Sequence, residues 1–280
     1  DRRIAVRWGA ELARHYAAAG HDEEVRAANA AARRLIGKIH PDDESAVKLY
    51  LLLCRQTATG WLEDNNRSAA MAVYRQAATE LDGNGQKNGI ASGLLWHDLG
   101  DFYRRSGLPG KAMAFYHRCG TALYRYAGDA GIKAQAQLAS MWMTRKQYLP
   151  AAEAWDQALR MLKKYADDTT FTAQQRAEML LASGECLARI GHYAAASKRL
   201  ANGLDAAEQC GLGGHFATAA ARLRLGDTWR ELRQYDRAER QYALALKHGG
   251  RHLEHIARCN WGLALVNHAE GWRDKATYYA

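Results

Sequence analysis

Along most of the chain, small and large apolar residues recur in a fixed order, separated by polar stretches. Four segments show it best: Trp96-Leu99-Gly100-Tyr103-Gly107-Ala112-Tyr116, Leu138-Ala139-Trp142-Tyr148-Ala151-Trp155-Ala158, Gly184-Leu187-Gly191-Tyr193-Ala196-Leu200 and Leu225-Gly226-Trp229-Tyr235-Ala238-Tyr242-Ala245. In each, a small residue precedes a large one by three positions, a turn follows, and then an alanine precedes a bulky residue by four. Spacings of three and four put the members of each pair on one helical face. The pattern therefore predicts helical hairpins. The small residue lets two antiparallel helices approach, and the bulky one fills the space beside it. One hairpin cannot bury its apolar face alone, so neighbours must stack.

Weaker copies extend the pattern both ways, at Leu12-Ala13-Tyr16-Gly20-Val25-Ala32, at Ala58-Trp61-Ala70-Tyr74-Ala77 and at Gly262-Leu265-Ala276. The expectation is a single array over 1–280, with hairpins near 6–40, 45–81, 93–128, 132–165, 174–209, 217–248 and an incomplete one at 254–280. The period is about 42 residues. Punctuation agrees. Pro109 and Pro150 stand at the start of second helices, where the missing N–H is not needed. Pro41 links the first two hairpins, while Asp82-Gly83-Asn84-Gly85 and Gly211-Leu212-Gly213-Gly214 read as loops between repeats. Asp167-Asp168-Thr169-Thr170 offers side chains to cap the next helix. The chain begins without Met and stops inside a hairpin, so a longer parent protein or a trimmed one is expected.

Composition narrows the class. Ala, Leu and Arg are abundant and there are 3 prolines, which favours helix over sheet. No apolar run is long enough to span a bilayer, and the charged N-terminus is unlike a signal peptide. The 5 cysteines are scattered without a CxxC pair, as expected of reduced thiols in a cytoplasmic protein. A net charge of +9 favours acidic partners, yet it is spread along the chain rather than gathered in a basic block.

These segments resemble the tetratricopeptide repeat (TPR) family, in its long-repeat type as found in kinesin light chain, spindle-orientation adaptors and bacterial peptide-sensing regulators. The second half of the family pattern is well kept. The first half is looser, with Leu180 and Arg222 where Trp or Leu is usual and Ser183 in place of a Leu. The resemblance implies an all-α, right-handed superhelical solenoid whose first helices line a concave groove. Carried over to this chain, the groove positions include Arg14, then Arg55, Gln56, His97, Asp98, Asp101, Arg104, Arg105, Lys133, Gln137, Arg224, Asp227, Arg230, Asn260 and Asn267. The amides suit a partner's backbone and the arginines suit carboxylates. The carboxylate clamp of chaperone-binding relatives is not reproduced by any three consecutive hairpins.

Catalytic and metal signals are weak. His252, His255 and Cys259 fall on one helical face but have no fourth ligand at a suitable spacing, and read as surface histidines beside a buried cysteine. Gly211–Gly214 lacks the strand and the Lys-Ser/Thr of a phosphate loop. Trp96, Trp142, Trp155 and Trp229 fall on core positions. The expected function is a non-catalytic interaction scaffold, without cofactor, that holds a partner peptide or helix of acidic character. The alternatives are a ligand- or peptide-sensing module of a bacterial transcriptional regulator and, more weakly, nucleic-acid binding through the basic surplus.

Overall fold

The computed structural model describes residues 44–63, 65–82, 89–126, 128–250 and 252–279, together with Glu24, Ala27 and Ala31. Apart from those three residues, the hairpin expected at 6–40 lies outside the described residues, as do Arg14 and Pro41. Twelve α-helices run through the described residues, and no strand occurs among them. They are α1 (Glu44–Glu63), α2 (Arg67–Asp82), α3 (Ile90–Arg105), α4 (Pro109–Leu123), α5 (Asp129–Thr144), α6 (Tyr148–Lys164), α7 (Ala173–Arg189), α8 (Tyr193–Gln209), α9 (Phe216–Glu231), α10 (Tyr235–His248), α11 (Leu253–Ala269) and α12 (Arg273–Tyr279).

The chain divides into two compact units, Asp1–Gln137 and Leu138–Ala280. In the first, α1 packs on α2 and α3 on α4, and α1 also touches α3. Tyr50, Leu51, Cys54, Tyr74, Leu95 and Phe102 form its core, with Trp61, Trp96 and Tyr103 half-buried against it. In the second unit α7 packs on α8, α9 on α10 and α11 on α12, while the first helices α7, α9 and α11 lie side by side. Its core gathers Leu223, Tyr242, Cys259, Leu263 and Val266, continued by Leu200, Leu204 and Leu225.

Each described hairpin turns through one residue with a left-handed backbone: Asn65 (φ 56), Gly107 (φ 73), Lys146 (φ 58), Gly191 (φ 81), Arg233 (φ 58) and Gly271 (φ 83). The N–H after it reaches back five residues to close the helix, as in Leu108 N to Tyr103 O at 2.9 Å and Gln234 N to Trp229 O at 2.9 Å. This is the Schellman arrangement. At Lys146 and Arg233 it carries a Cβ penalty that glycine escapes.

The helix starts hold one correction. Asp167 and Asp168 belong to a short 3₁₀ turn, Ala166–Asp168, and do not cap α7. Thr172 does, in a capping box. Gln175 N donates to Thr172 Oγ1 at 3.2 Å, and Thr172 N donates to Gln175 Oε1 at 2.9 Å. Two otherwise unpaired donors are satisfied reciprocally, which two aspartates further upstream cannot do. Pro109 opens α4 as its first residue, whereas α6 begins two residues ahead of Pro150, which still falls in the first turn.

Candidate functional site

In the first unit, the candidate residues of α1 and α3 converge with Tyr116 of α4. Gly100 allows this. A Cβ there would sit 2.5 Å from the Tyr116 ring. The ring thus packs directly against the α3 backbone, and its hydroxyl emerges between Asp101 and Arg104. Tyr116 OH donates to Asp101 Oδ1 at 2.7 Å, and Arg104 Nε donates to the same hydroxyl oxygen at 3.2 Å. Burial, helped by the Asp101 carboxylate, pushes the Tyr116 phenol well above its ordinary pKa. Asp98 lies deeper, only 2% exposed, and accepts from Arg55 Nη2 at 2.5 Å. Burial opposes the charge on Arg55, but Asp98 outweighs it and the guanidinium is held above its usual range. Asp98 Oδ2 is buried without a hydrogen-bond partner. His97 Nδ1 lies 3.6 Å from Asp98 Oδ1 and 3.8 Å from Asp101 Oδ2. Arg105 donates to Thr59 Oγ1 at 3.1 Å.

The second unit repeats this hook on α9 and α10. A Cβ on Gly226 would lie 2.7 Å from the Tyr242 ring, and one on Gly262 of α11 would lie 2.5 Å from it. Tyr242 OH donates to Asp227 Oδ1 at 2.9 Å, and its phenol is likewise raised, by burial first and then by Asp227. Where α3 carries Asp98, α9 carries Arg224. Arg224 reaches Glu185 at 3.4 Å and Asp227 at 3.5 Å. Burial, together with the nearby charge of Arg189, lowers its pKa against the pull of these carboxylates.

Around Arg224, α7, α9 and α11 form a cleft of about 540 Å³ whose walls include Arg189, Asp227, Arg258, Trp261 and Leu265. A second cleft of about 770 Å³ shares Arg189, Arg224, Glu254 and Arg258 with it. Trp261 is 59% exposed, an unusual position for so large an apolar side chain. The arginines here are largely paired: Arg189 with Glu185 at 3.5 Å, Arg258 with Asp227 at 3.9 Å, and Arg230 with Glu231 at 2.8 Å. The cleft is thus polar, charged in both signs, and edged by one aromatic ring.

The remaining candidates divide by exposure. Lys133 and Gln137 are exposed on α5, where Lys133 lies 3.5 Å from Asp129. Gln56 and Asn260 are half-buried, and the Gln56 Oε1 atom is buried without a partner. Asp98 and Asn267 differ from the expectation of groove-facing residues, because both are interior. Asn267 is 1% exposed, and its Nδ2 donates to Leu263 O at 2.8 Å, closing a bond within its own helix. His255 also departs from its expected surface position. It is buried, with Nε2 3.0 Å from Ala245 O and 3.6 Å from Cys259 Sγ. The His252 ring lies 4.1 Å from the Phe216 ring, between centroids. Burial, and secondarily Asp227, pushes the Cys259 thiol up to about 11, against the pull of Arg258, so it stays protonated and inert near neutral pH. Among the described residues, no group of three His, Cys, Asp or Glu side chains is placed to hold a metal ion. None of the described helices is long and apolar enough to cross a membrane.

The sequence reading missed Arg189, Arg258, Glu254 and Trp261. The signals were present: Glu185 and Arg189 form an i,i+4 pair, and Trp261 stands one residue before Gly262, off the repeat's core positions. Arg222, the departure from the family pattern, is nearly buried and paired with Glu208 across the α8–α9 junction.

Helical hairpins with a small-residue seam, lined up through their first helices, define the class of all-α repeat proteins. No protein-family model matches the chain, and no curated protein matches it. Solved structures do. The apo form of RapI aligns over 99% of this chain and 74% of its own length, with a TM-score of 0.54 and 15% identity. The nearly identical TPR-like repeats of a Podosopora anserina putative kinesin light chain align over 77% of this chain and 99% of theirs, with a TM-score of 0.50 and 13% identity. At such identities the likeness speaks to fold, and the fold is of the tetratricopeptide-repeat type.

Proposed function

We propose that this chain is a non-catalytic interaction scaffold that holds an extended or helical protein segment against the face built by α7, α9 and α11. The observation that carries the reading is the cleft at Arg224, where Trp261 stands exposed beside Arg258. Binding surfaces concentrate their energy in aromatic and arginine anchors of this kind. Paired arginines and carboxylates fix orientation and partner choice more than raw affinity. The mixed charge of this cleft favours a segment bearing an apolar anchor flanked by polar groups over a purely acidic one. Repeat folds of this class present such faces from rigid helices, which supports a holding role over chemistry. The thiol state of the five cysteines suits a reducing compartment such as the cytoplasm.

A displayed peptide library selected on the full chain tests the reading. Arg258 and Trp261 are both exposed, so Arg258→Glu/Trp261→Ala leaves the core intact. Selected peptides should lose affinity about tenfold or more for that variant. A selection that enriches nothing, or peptides indifferent to the variant, overturns the proposal.

A further inference from the structure

The second unit carries another concavity, on a different side of α7. Successive residues of a helix turn by about 100°. Arg176 and Leu180 therefore point away from Glu178, Ala182 and Glu185, which face the cleft already described. Around Arg176 and Leu180, the helices α6, α7 and α8 enclose a hollow of about 770 Å³. None of its residues was singled out as a groove position.

Its charge is one-sided. Arg160 and Lys163 come from α6, Arg176 from α7, and Lys198 and Arg199 from α8, against one lining carboxylate, Asp156. That carboxylate is already engaged: Arg199 Nη2 lies 2.9 Å from Asp156 Oδ1, and Ser183 Oγ donates to the same oxygen at 3.4 Å. Arg160, Lys163, Arg176 and Lys198 are exposed and have no carboxylate partner among the described residues. The Arg224 cleft differs in kind, because its cations are met by Glu185, Asp227 and Glu231. Four like charges held around one hollow repel one another, and an anionic occupant relieves that repulsion.

The floor decides between anions. Leu159, Leu180, Ala166 and Ala195 line it between the cations, together with one half-buried ring, Phe171. A phosphodiester backbone has nothing to place on aliphatic side chains, and successive single-stranded bases stack on several exposed aromatic rings, where this hollow offers one half-buried ring. An acidic protein segment with one or two aliphatic side chains satisfies both parts, apolar groups on the leucines and carboxylates on the rim. We propose that this hollow docks such a segment, acidic and punctuated by leucine-like residues, as a second binding surface independent of the Arg224 cleft.

The test is fluorescence anisotropy with the full chain at low and at physiological salt. The probe is a labelled twelve-residue peptide of glutamates interrupted by two leucines. Its controls are a glutamate-only peptide of equal length and a twelve-nucleotide oligothymidylate. The two rim residues of Arg160→Glu/Lys198→Glu are exposed, and circular dichroism checks that the variant keeps its helix content. The proposal expects the leucine-bearing peptide to bind the native chain best and to lose about tenfold or more in affinity to that variant. It also expects less than about twofold loss for Arg258→Glu/Trp261→Ala, the variant of the other cleft. An absent signal, a signal unmoved by Arg160→Glu/Lys198→Glu, or one lost equally in both variants overturns it. Equal binding of the glutamate-only peptide removes the role of the floor, and tighter binding of the oligonucleotide replaces the acidic segment with nucleic acid. Either result sinks the proposal as stated.

Discussion

The segment 98–116 of the first unit and the segment 224–242 of the second share one frame and carry opposite charge at one position of it. Both read Leu-Gly-Asp, place an arginine three residues after the aspartate, and return a tyrosine sixteen after the glycine. In both, the tyrosine ring lies on the glycine and its hydroxyl donates to the aspartate, at 2.7 Å in one and 2.9 Å in the other. Two residues before the glycine they part. Asp98 is buried and served by Arg55 from α1, whereas Arg224 is served by Glu185 from α7. The repeat therefore fixes the glycine, tyrosine and aspartate as a structural hook and leaves the position before it free to set the charge of the face. Hook and charge should respond to mutation in different ways.

The largest effect is expected at the hook. Gly226→Ala forces a methyl group into a tyrosine ring that Gly262 also crowds, so overpacking should cost about 2–3 kcal/mol. Gly100→Ala meets a ring pressed by one glycine contact and should cost less. Urea unfolding of each variant checks the order, and equal losses would break the distinction.

Next comes the charged position. Arg55→Leu leaves Asp98 buried with neither oxygen neutralised and should cost about 2 kcal/mol. Arg55 is itself half-exposed, so the full penalty of a buried pair is not expected. Glu185→Gln removes one of two carboxylates beside Arg224 and should cost about 1 kcal/mol or less. Unfolding midpoints of the two variants, measured side by side, test this asymmetry.

The tyrosines give a pH signature common to both regions. Their phenols are raised in the folded chain, so the unfolded chain ionises first as pH rises. Stability from them is complete below the unfolded value of about 10 and declines above it, toward the raised folded value. Tyr116→Phe or Tyr242→Phe should flatten the alkaline fall, with little change in its slope near neutrality. A fall between pH 10 and 11 as steep as in the native chain contradicts the assignment.

The smallest effect lies in the turns. Lys146→Gly and Arg233→Gly relieve a left-handed backbone and should each raise stability by about 1 kcal/mol. The same positions at Gly107 and Gly191 offer no such gain.

Much of this was legible in the sequence because the repeat spacing itself encodes packing. Gly100 and Tyr116, or Gly226 and Tyr242, announce a close helix crossing by their spacing alone. The left-handed turns were half legible. Gly107 and Gly191 mark themselves, but Lys146 and Arg233 adopt the same geometry with nothing in their chemistry to betray it. The candidate face was harder. Position in the repeat suggested which side of each helix bears Asp98 and Asn267, but not how deep they lie, since depth depends on which neighbour covers them. Arg258 and Trp261 were passed over for the reverse reason: they sit between the repeat's signature positions and gain meaning only when α7 and α9 come alongside.

The proposed holding face is built by α7, α9 and α11 together. Amide hydrogen exchange of the full chain, with and without a peptide selected on it, tests this most directly. Protection is expected on residues 185–189, 224–231 and 254–265, and its loss with Arg258→Glu/Trp261→Ala. Protection elsewhere, or none at all despite saturating peptide, contradicts it.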